Sequence, residues 1–120
     1  MRDKNLTFLK ILKIEIDDLK QSVQELIEEY RKQYEAGDIS HYVFQENSAI
    51  LQNKLLGLED FDKDLVQVAE KKFEKTDELV FELKSRLDRV IKDRCIVRSL
   101  RNCVYPLIDK VYRYVALNSE

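Results

Sequence analysis

The chain has 120 residues, of which 37% are charged and 44% hydrophobic, with only two Gly, one Pro and no Trp. This composition is typical of long amphipathic helices, and it excludes glycine-rich phosphate-binding loops. The formal net charge is −2, but residues 1–83 carry 12 basic and 19 acidic side chains, whereas residues 84–120 carry 9 basic and 4 acidic ones. Such asymmetry indicates either an anionic partner or attraction between the two parts of the chain.

The near absence of helix breakers predicts an all-α fold. We expect an antiparallel helical bundle of three to four long helices with coiled-coil-like seams, forming a single domain over residues 1–120. The predicted helices cover about residues 4–36, 39–57, 61–94 or 61–104, and 106–117. Whether the third helix continues to residue 104 decides the architecture of the C-terminal third.

The first predicted helix carries the clearest apolar pattern. Its apolar residues are spaced alternately by three and four positions, which is the coiled-coil repeat. They are Leu9, Leu12, Ile16, Leu19, Val23, Leu26 and Tyr30. Phe8, Ile11 and Ile14 lie off this stripe and form a second apolar face, which either a later helix of the chain or a partner helix covers. Gly37 is predicted to end the helix, since glycine suits a left-handed C-terminal cap.

The second predicted helix begins at a polar cap and ends at a glycine. Asp38 or Ser40 is expected to accept hydrogen bonds from the free N–H groups of its first turn. Gly57 is predicted to stop it. An acidic cluster follows, at the predicted start of the third helix, where negative charge complements the helix dipole. It consists of Glu59, Asp60, Asp62 and Asp64.

The third predicted helix has no internal breaker, because neither Gly nor Pro occurs between Phe61 and Pro106. A second heptad stripe runs along it through Ala69, Phe73, Thr76, Val80, Leu83, Leu87 and Val90. Continued further, this register places Arg94 and Arg101 at core positions. Either the stripe therefore drifts, or the helix turns near residues 93–96. Pro106 must end the helix, kink it or begin the last helix.

The sequence contains no constellation that predicts catalysis, so we expect a protein that is not an enzyme and has no catalytic residue, cofactor or metal. His41 is the single histidine, which excludes the usual His-rich metal sites. Cys95 and Cys103 are predicted as small side chains on apolar faces. Two thiols without a disulfide framework, and an N-terminus without a signal-peptide core, predict a cytoplasmic protein with no membrane segment.

The apolar stripes favour a function in protein–protein interaction or self-association. We expect a homo-oligomer, in the form of a dimer, or a complex with another helical protein. The predicted contacts with the partner helix are Phe8, Ile11 and Ile14, which form the second apolar face of the first helix.

The alternative hypothesis is a nucleic-acid-binding accessory protein that uses the basic C-terminal third. Arg94, Arg98 and Arg101 follow i, i+4, i+7 spacing, and Arg113 lies between two tyrosines, an arrangement suited to phosphate contact and base stacking. The same arginines could instead dock onto the acidic helices. The isoelectric point near 5.6 favours docking, because nucleic-acid-binding domains usually have values above 9.

Overall fold

The protein folds into four α-helices in a computed structural model that describes residues 2–117. Helix α1 spans Arg2–Glu35, α2 spans His41–Ala69, α3 spans Thr76–Asp93 and α4 spans Ser99–Leu117. No strand occurs among the described residues. The predicted all-α helical bundle is therefore confirmed.

Helices α1 and α2 pack against each other in opposite directions. At one end, the Asn5 side chain donates a hydrogen bond to the carbonyl of Phe73, just beyond α2 (3.1 Å). At the other end, the rings of Tyr34 and Phe44 stack with their centroids 4.9 Å apart. The start of α1 therefore lies beside the end of α2, and the two helices form a long antiparallel hairpin.

Helices α3 and α4 complete the bundle. Helix α3 lies against α2, where Arg86 Nη1 is 3.2 Å from Asp64 Oδ1. Helix α4 lies against α3 and returns to α1, where Lys110 Nζ is 2.7 Å from Glu15 Oε1. The core between the four helices contains large, fully buried side chains from each of them. They include Phe8, Leu12, Ile16, Leu58, Phe61, Leu79, Leu83, Leu87, Leu100, Val104 and Ile108.

Gly57 lies inside α2, so the prediction that it ends a helix at residue 57 is wrong. A methyl group at this position would lie 2.7 Å from Leu100 Cδ2 and 2.9 Å from Ile96 Cγ2. Glycine is present here because α4 and the loop before it approach the backbone of α2 closely. The acidic cluster therefore lies in the second half of α2 and not at a helix start.

The predicted third helix, over 61–94 or 61–104, is also wrong. Its first residues belong to α2, and the chain reverses between residues 70 and 75 without any Gly or Pro. Phe73 packs against the core from within this turn. The apolar spacing therefore continues across the reversal and gives no sign of it.

Hydrogen bonds stabilise this reversal. The Thr76 hydroxyl donates to Asn5 Oδ1 (2.9 Å), and both side chains are buried. Glu78 Oε1 accepts from the backbone N–H of Lys75 (3.3 Å), which satisfies a free donor at the start of α3. A polar contact with α1 and a helix cap thus stabilise a turn that contains no glycine.

The C-terminal third contains two helices because α3 ends at Asp93, near the shorter of its two predicted ends. Cys95 follows with a φ of +54°, the left-handed conformation that often terminates a helix. It is exposed, so its predicted place on an apolar core face is wrong, whereas Cys103 is half-buried. Pro106 lies inside α4 and neither begins nor ends it.

We expect Gly57→Ala to lower the free energy of unfolding by roughly 1 kcal/mol. The added methyl overpacks the contact with Leu100 and Ile96, which costs about 1–3 kcal/mol. This cost exceeds the gain of about 1 kcal/mol from the better helix propensity of alanine. Urea denaturation of both proteins measures the difference.

Leu100→Ala provides the matched background, because it removes the methyl group nearest to Gly57. In that background the same Gly57→Ala substitution should lower stability less, and the remaining loss should come from Ile96 Cγ2, which is 2.9 Å from the added methyl. An equal loss of stability in both backgrounds would mean that the close approach of α4 does not explain the requirement for glycine at position 57.

Candidate protein-interaction surface

The four helices differ in length, so α3 and α4 cover only part of the α1–α2 hairpin. Helix α1 has 34 residues and α2 has 29, whereas α3 has 18 and α4 has 19. At 1.5 Å per residue, α1 is about 51 Å long and α3 about 27 Å. The molecule measures 54 Å along its longest axis. We call the four-helix part the base and residues 26–52 the projecting hairpin.

The α3–α4 loop, residues 94–98, marks the limit of the base, and we call it the shoulder. The Asn53 side chain holds it to α2 by accepting a hydrogen bond from the Val97 N–H (2.7 Å) and donating one to the Cys95 carbonyl (3.3 Å). The contact of Gly57 with Ile96 lies one turn further along α2. Neither α3 nor α4 therefore covers the residues of α2 that precede Asn53.

The projecting hairpin exposes the helix faces that form the core in the base. In α2, Ile50 precedes Gly57 by seven residues and Val43 precedes it by fourteen. In α1, Leu26 follows the fully buried Leu12 by fourteen residues. Seven residues are almost two helical turns, so each group shares one face. Val43, Ile50 and Leu26 are 39%, 43% and 48% exposed. We group them with half-buried neighbours on the same helix faces and call this surface the open face. Its residues are Leu26, Tyr30, Val43, Asn47 and Ile50.

Local interactions close the tip of the projecting hairpin. Gly37 takes a φ of +81° just after α1, as predicted for the residue that ends this helix. The Ser40 hydroxyl accepts a hydrogen bond from the Val43 N–H (3.1 Å) and is the cap of α2. Tyr34 packs on both Phe44 and the exposed His41. The two helices of the hairpin are thus held together without help from α3 or α4.

The predicted partner-helix residues do not form one accessible face. Phe8 is fully buried and Ile11 packs against the core, because α4 lies against this side of α1. Ile14 is 60% exposed. A partner therefore cannot contact Phe8, and the predicted second face is covered largely by the chain itself.

The predicted arginine stripe does not lie on one helix. Arg94 follows the end of α3, Arg98 lies in the shoulder and Arg101 lies in α4. Arg94 Nε is 3.1 Å from Asp60 Oδ2, and Arg101 Nε donates to Asp88 Oδ1 at 2.9 Å. Two of the arginines thus pair with acidic residues of this chain.

Arg98 and Arg113 remain exposed and make no ion pair among residues 2–117. They are separated by fifteen residues, which is about 22 Å along α4. The predicted pairing of arginine with tyrosine occurs instead between α3 and α4, at the half-buried Tyr105. Its hydroxyl donates to Asp88 (2.9 Å), and its ring lies 5.7 Å from the Arg101 guanidinium. Burial and the bond to Asp88 raise the pKa of Tyr105.

The acidic cluster of α2 is engaged by basic side chains of other elements. Asp62 faces α1, where it accepts hydrogen bonds from Lys13 and Lys20. Asp64 pairs with Arg86 of α3, and Asp60 lies beside the shoulder. Within residues 2–117, no three His, Cys, Asp or Glu side chains are grouped so that they could hold a metal ion. The cluster therefore connects helices electrostatically.

Arg86 is the most buried charged residue in this network, at 9% exposure. It donates hydrogen bonds to Glu82 (2.8 Å), Gln67 (2.8 Å) and Asp64 (3.2 Å). The bond from Arg86, followed by one from Lys71, holds the pKa of Glu82 below its ordinary value of 4.5. The bond to Glu82 likewise raises the pKa of Arg86. This network fixes α3 on α2.

A cleft of about 540 Å³ lies at the end of the base away from the projecting hairpin. Leu6, Leu9, Phe73 and Leu79 form much of its wall, and its lining contains no His, Cys, Ser or Thr. The amide of Asn5 in this wall is already bonded to Phe73 and Thr76. The cleft therefore combines an apolar wall with the charged residues Glu70, Lys71, Lys72 and Glu74.

The fold and its open face define a four-helix bundle with a two-helix projection. None of the described helices combines the length and apolar character needed to cross a membrane. Comparison with protein families, curated proteins and solved structures finds no significant match.

We expect Glu82→Gln to lower the free energy of unfolding at pH 7 by about 1–2 kcal/mol, because it weakens charged hydrogen bonds at a partly buried site. Since folding lowers the pKa of Glu82, its stabilisation is present above pH 4.5 and is lost as the pH falls. The difference between wild type and variant should therefore shrink in acid. Urea denaturation from pH 7 to pH 3 measures it.

Glu28→Gln is the matched control. Glu28 also has a lowered pKa, caused by its hydrogen bond with Arg31, but both side chains are exposed on α1. Solvent screens such pairs, so this variant should change stability much less. Equal losses in the two variants would show that the interhelical network does not stabilise the base.

Proposed function

We propose that this protein is a non-enzymatic interaction module that uses its open face to associate with helices of a second chain, and that it self-associates as a dimer. The observation that supports this proposal is the exposure of Leu26, Val43 and Ile50 on helix faces that are buried in the base. A further pair of helices on the open face would complete a second four-helix arrangement.

The hydrophobic effect favours this association, because water leaves the open face when a partner covers it. The uncovered part of α2, from His41 to Asn53, is about 18 Å long, and two packed helices are about 20 Å wide. Two such faces would bury about 700 Å² in total. Interfaces of this size belong to weak, reversible complexes, so we expect the dimer to form only at high protein concentration.

The cytoplasm is the compartment that we propose, because Cys95 and Cys103 are free thiols. Nucleic-acid binding has less support than self-association. Two of its four predicted arginines pair with Asp60 and Asp88, and the remaining two lie far apart on the surface.

Sedimentation equilibrium tests the proposal. The wild-type chain should show a reversible monomer–dimer equilibrium between roughly 1 and 500 μM, a range that reaches the high concentrations a weak interface requires. Ile50→Asp should abolish the dimer, because it places a charge in the middle of the contact. Circular dichroism and thermal unfolding of each protein verify that the fold is retained.

Ile14→Asp is the matched control, since it makes the same chemical change on an exposed isoleucine outside the open face. It should dimerise as the wild type does. A wild type that remains monomeric at 500 μM would contradict the proposal. A dimer lost in Ile14→Asp and kept in Ile50→Asp would assign association to the predicted face of α1 instead.

A further inference from the structure

We infer that the dimer is antiparallel, with the tip of each projecting hairpin resting on the shoulder of the second copy. This inference rests on the proposed self-association and specifies its geometry. Three features of the chain support it: the length of the open face, the charges at its two ends and the arginine that has no partner in the shoulder.

The length of the open face suits this arrangement. The shoulder stands at one end of the open face, beside Asn53, and the tip stands at the other, about 18 Å away. When two such faces pack in opposite directions, the tip of one copy reaches the shoulder of the other. A parallel arrangement would instead bring the two tips together and the two shoulders together.

The two ends carry opposite charge. Residues 35–41 at the tip include two acidic side chains and no Lys or Arg, a net charge of −2 with His41 neutral. Residues 94–98, the shoulder, include two basic side chains and no acidic one, a net charge of +2, and Glu35 and Arg94 already form ion pairs within the chain. The antiparallel arrangement places these opposite charges together twice, whereas the parallel one places two acidic tips in contact.

Individual side chains agree with this distribution. Glu29 and Glu46 each lie three residues beyond an open-face residue, Leu26 and Val43, and so border the open face on its two helices. Both glutamates are exposed and form no ion pair within residues 2–117. Arg98 of the shoulder is likewise exposed without an ion pair. The chain thus carries unpaired acids along the borders of the open face and an unpaired base at the shoulder.

Cysteine crosslinking tests the geometry directly, because the shoulder already contains the exposed Cys95. The variant for this test combines Asp38→Cys at the tip with Cys103→Ser, which leaves one thiol at each end. Within one chain the two thiols are roughly 20 Å apart along α2, beyond the span of a short bismaleimide reagent. A crosslink between positions 38 and 95 therefore reports contact between two copies.

The expected product is a covalent dimer in which mass spectrometry finds position 38 joined to position 95. Adding Ile50→Asp should abolish it. A product joined only through two copies of position 38 would overturn the antiparallel geometry while leaving self-association intact. A chain that is monomeric by sedimentation would instead contradict the proposed function itself.

Charge reversal provides an independent readout. Arg98→Glu should weaken dimerisation by about 3- to 10-fold, because it removes an attraction at both ends of the contact. Arg113→Glu makes the same change on an unpaired arginine about 22 Å from the shoulder and should leave the dissociation constant unchanged. Equal effects of the two reversals would show that the shoulder has no specific role.

Discussion

The central constraint in this structure is a mismatch of length between the apolar stripe of the α1–α2 hairpin and the helices that cover it. Water favours burial of the whole stripe, but α3 and α4 are each only slightly longer than half of α1. The covered part becomes a core with fully buried leucines and phenylalanines. The remainder keeps its helical form through the tip contacts of Tyr34 and Ser40, and its apolar face remains in contact with water.

Apolar periodicity was sufficient to predict the fold class and the whole of α1. The three–four spacing from Leu9 to Tyr30 identifies one helix, and Gly37 and Ser40 mark the turn after it through ordinary local chemistry. The prediction failed where a residue's role depends on tertiary contacts. Gly57 resembles a helix stop in the sequence, but it is the point where Leu100 and Ile96 approach α2.

The reversal at residues 70–75 was not predictable because it contains no helix breaker. Phe73 also maintains the heptad spacing through it. The open face was missed as a consequence, since Leu26, Val43 and Ile50 look like core residues in the sequence. Their exposure depends on where α3 and α4 end. That limit is set by the two hydrogen bonds that join Asn53 to the shoulder.

Part of the charge asymmetry along the chain is balanced by ion pairs within the bundle. Arg86 and Arg94 pair with Asp64 and Asp60 of α2, so part of the attraction between the acidic and basic regions stabilises the base, whereas Arg101 pairs with Asp88 within the basic region. Arg98 and Arg113 form no ion pair within the described residues, and neither do other exposed charged residues such as Lys10, Asp18 and Glu59. Because two of the four arginines are paired within the chain and the projecting hairpin exposes apolar side chains, we propose self-association rather than nucleic-acid binding.

Hydrogen–deuterium exchange along α2 at two protein concentrations tests the central claim most directly. At low micromolar concentration, amides of residues 43–52 should exchange faster than those of residues 56–68, because only the latter are covered by α3 and α4. At several hundred micromolar, protection of residues 43–52 should rise while that of residues 56–68 stays constant. Uniform protection along α2 at both concentrations would contradict the account.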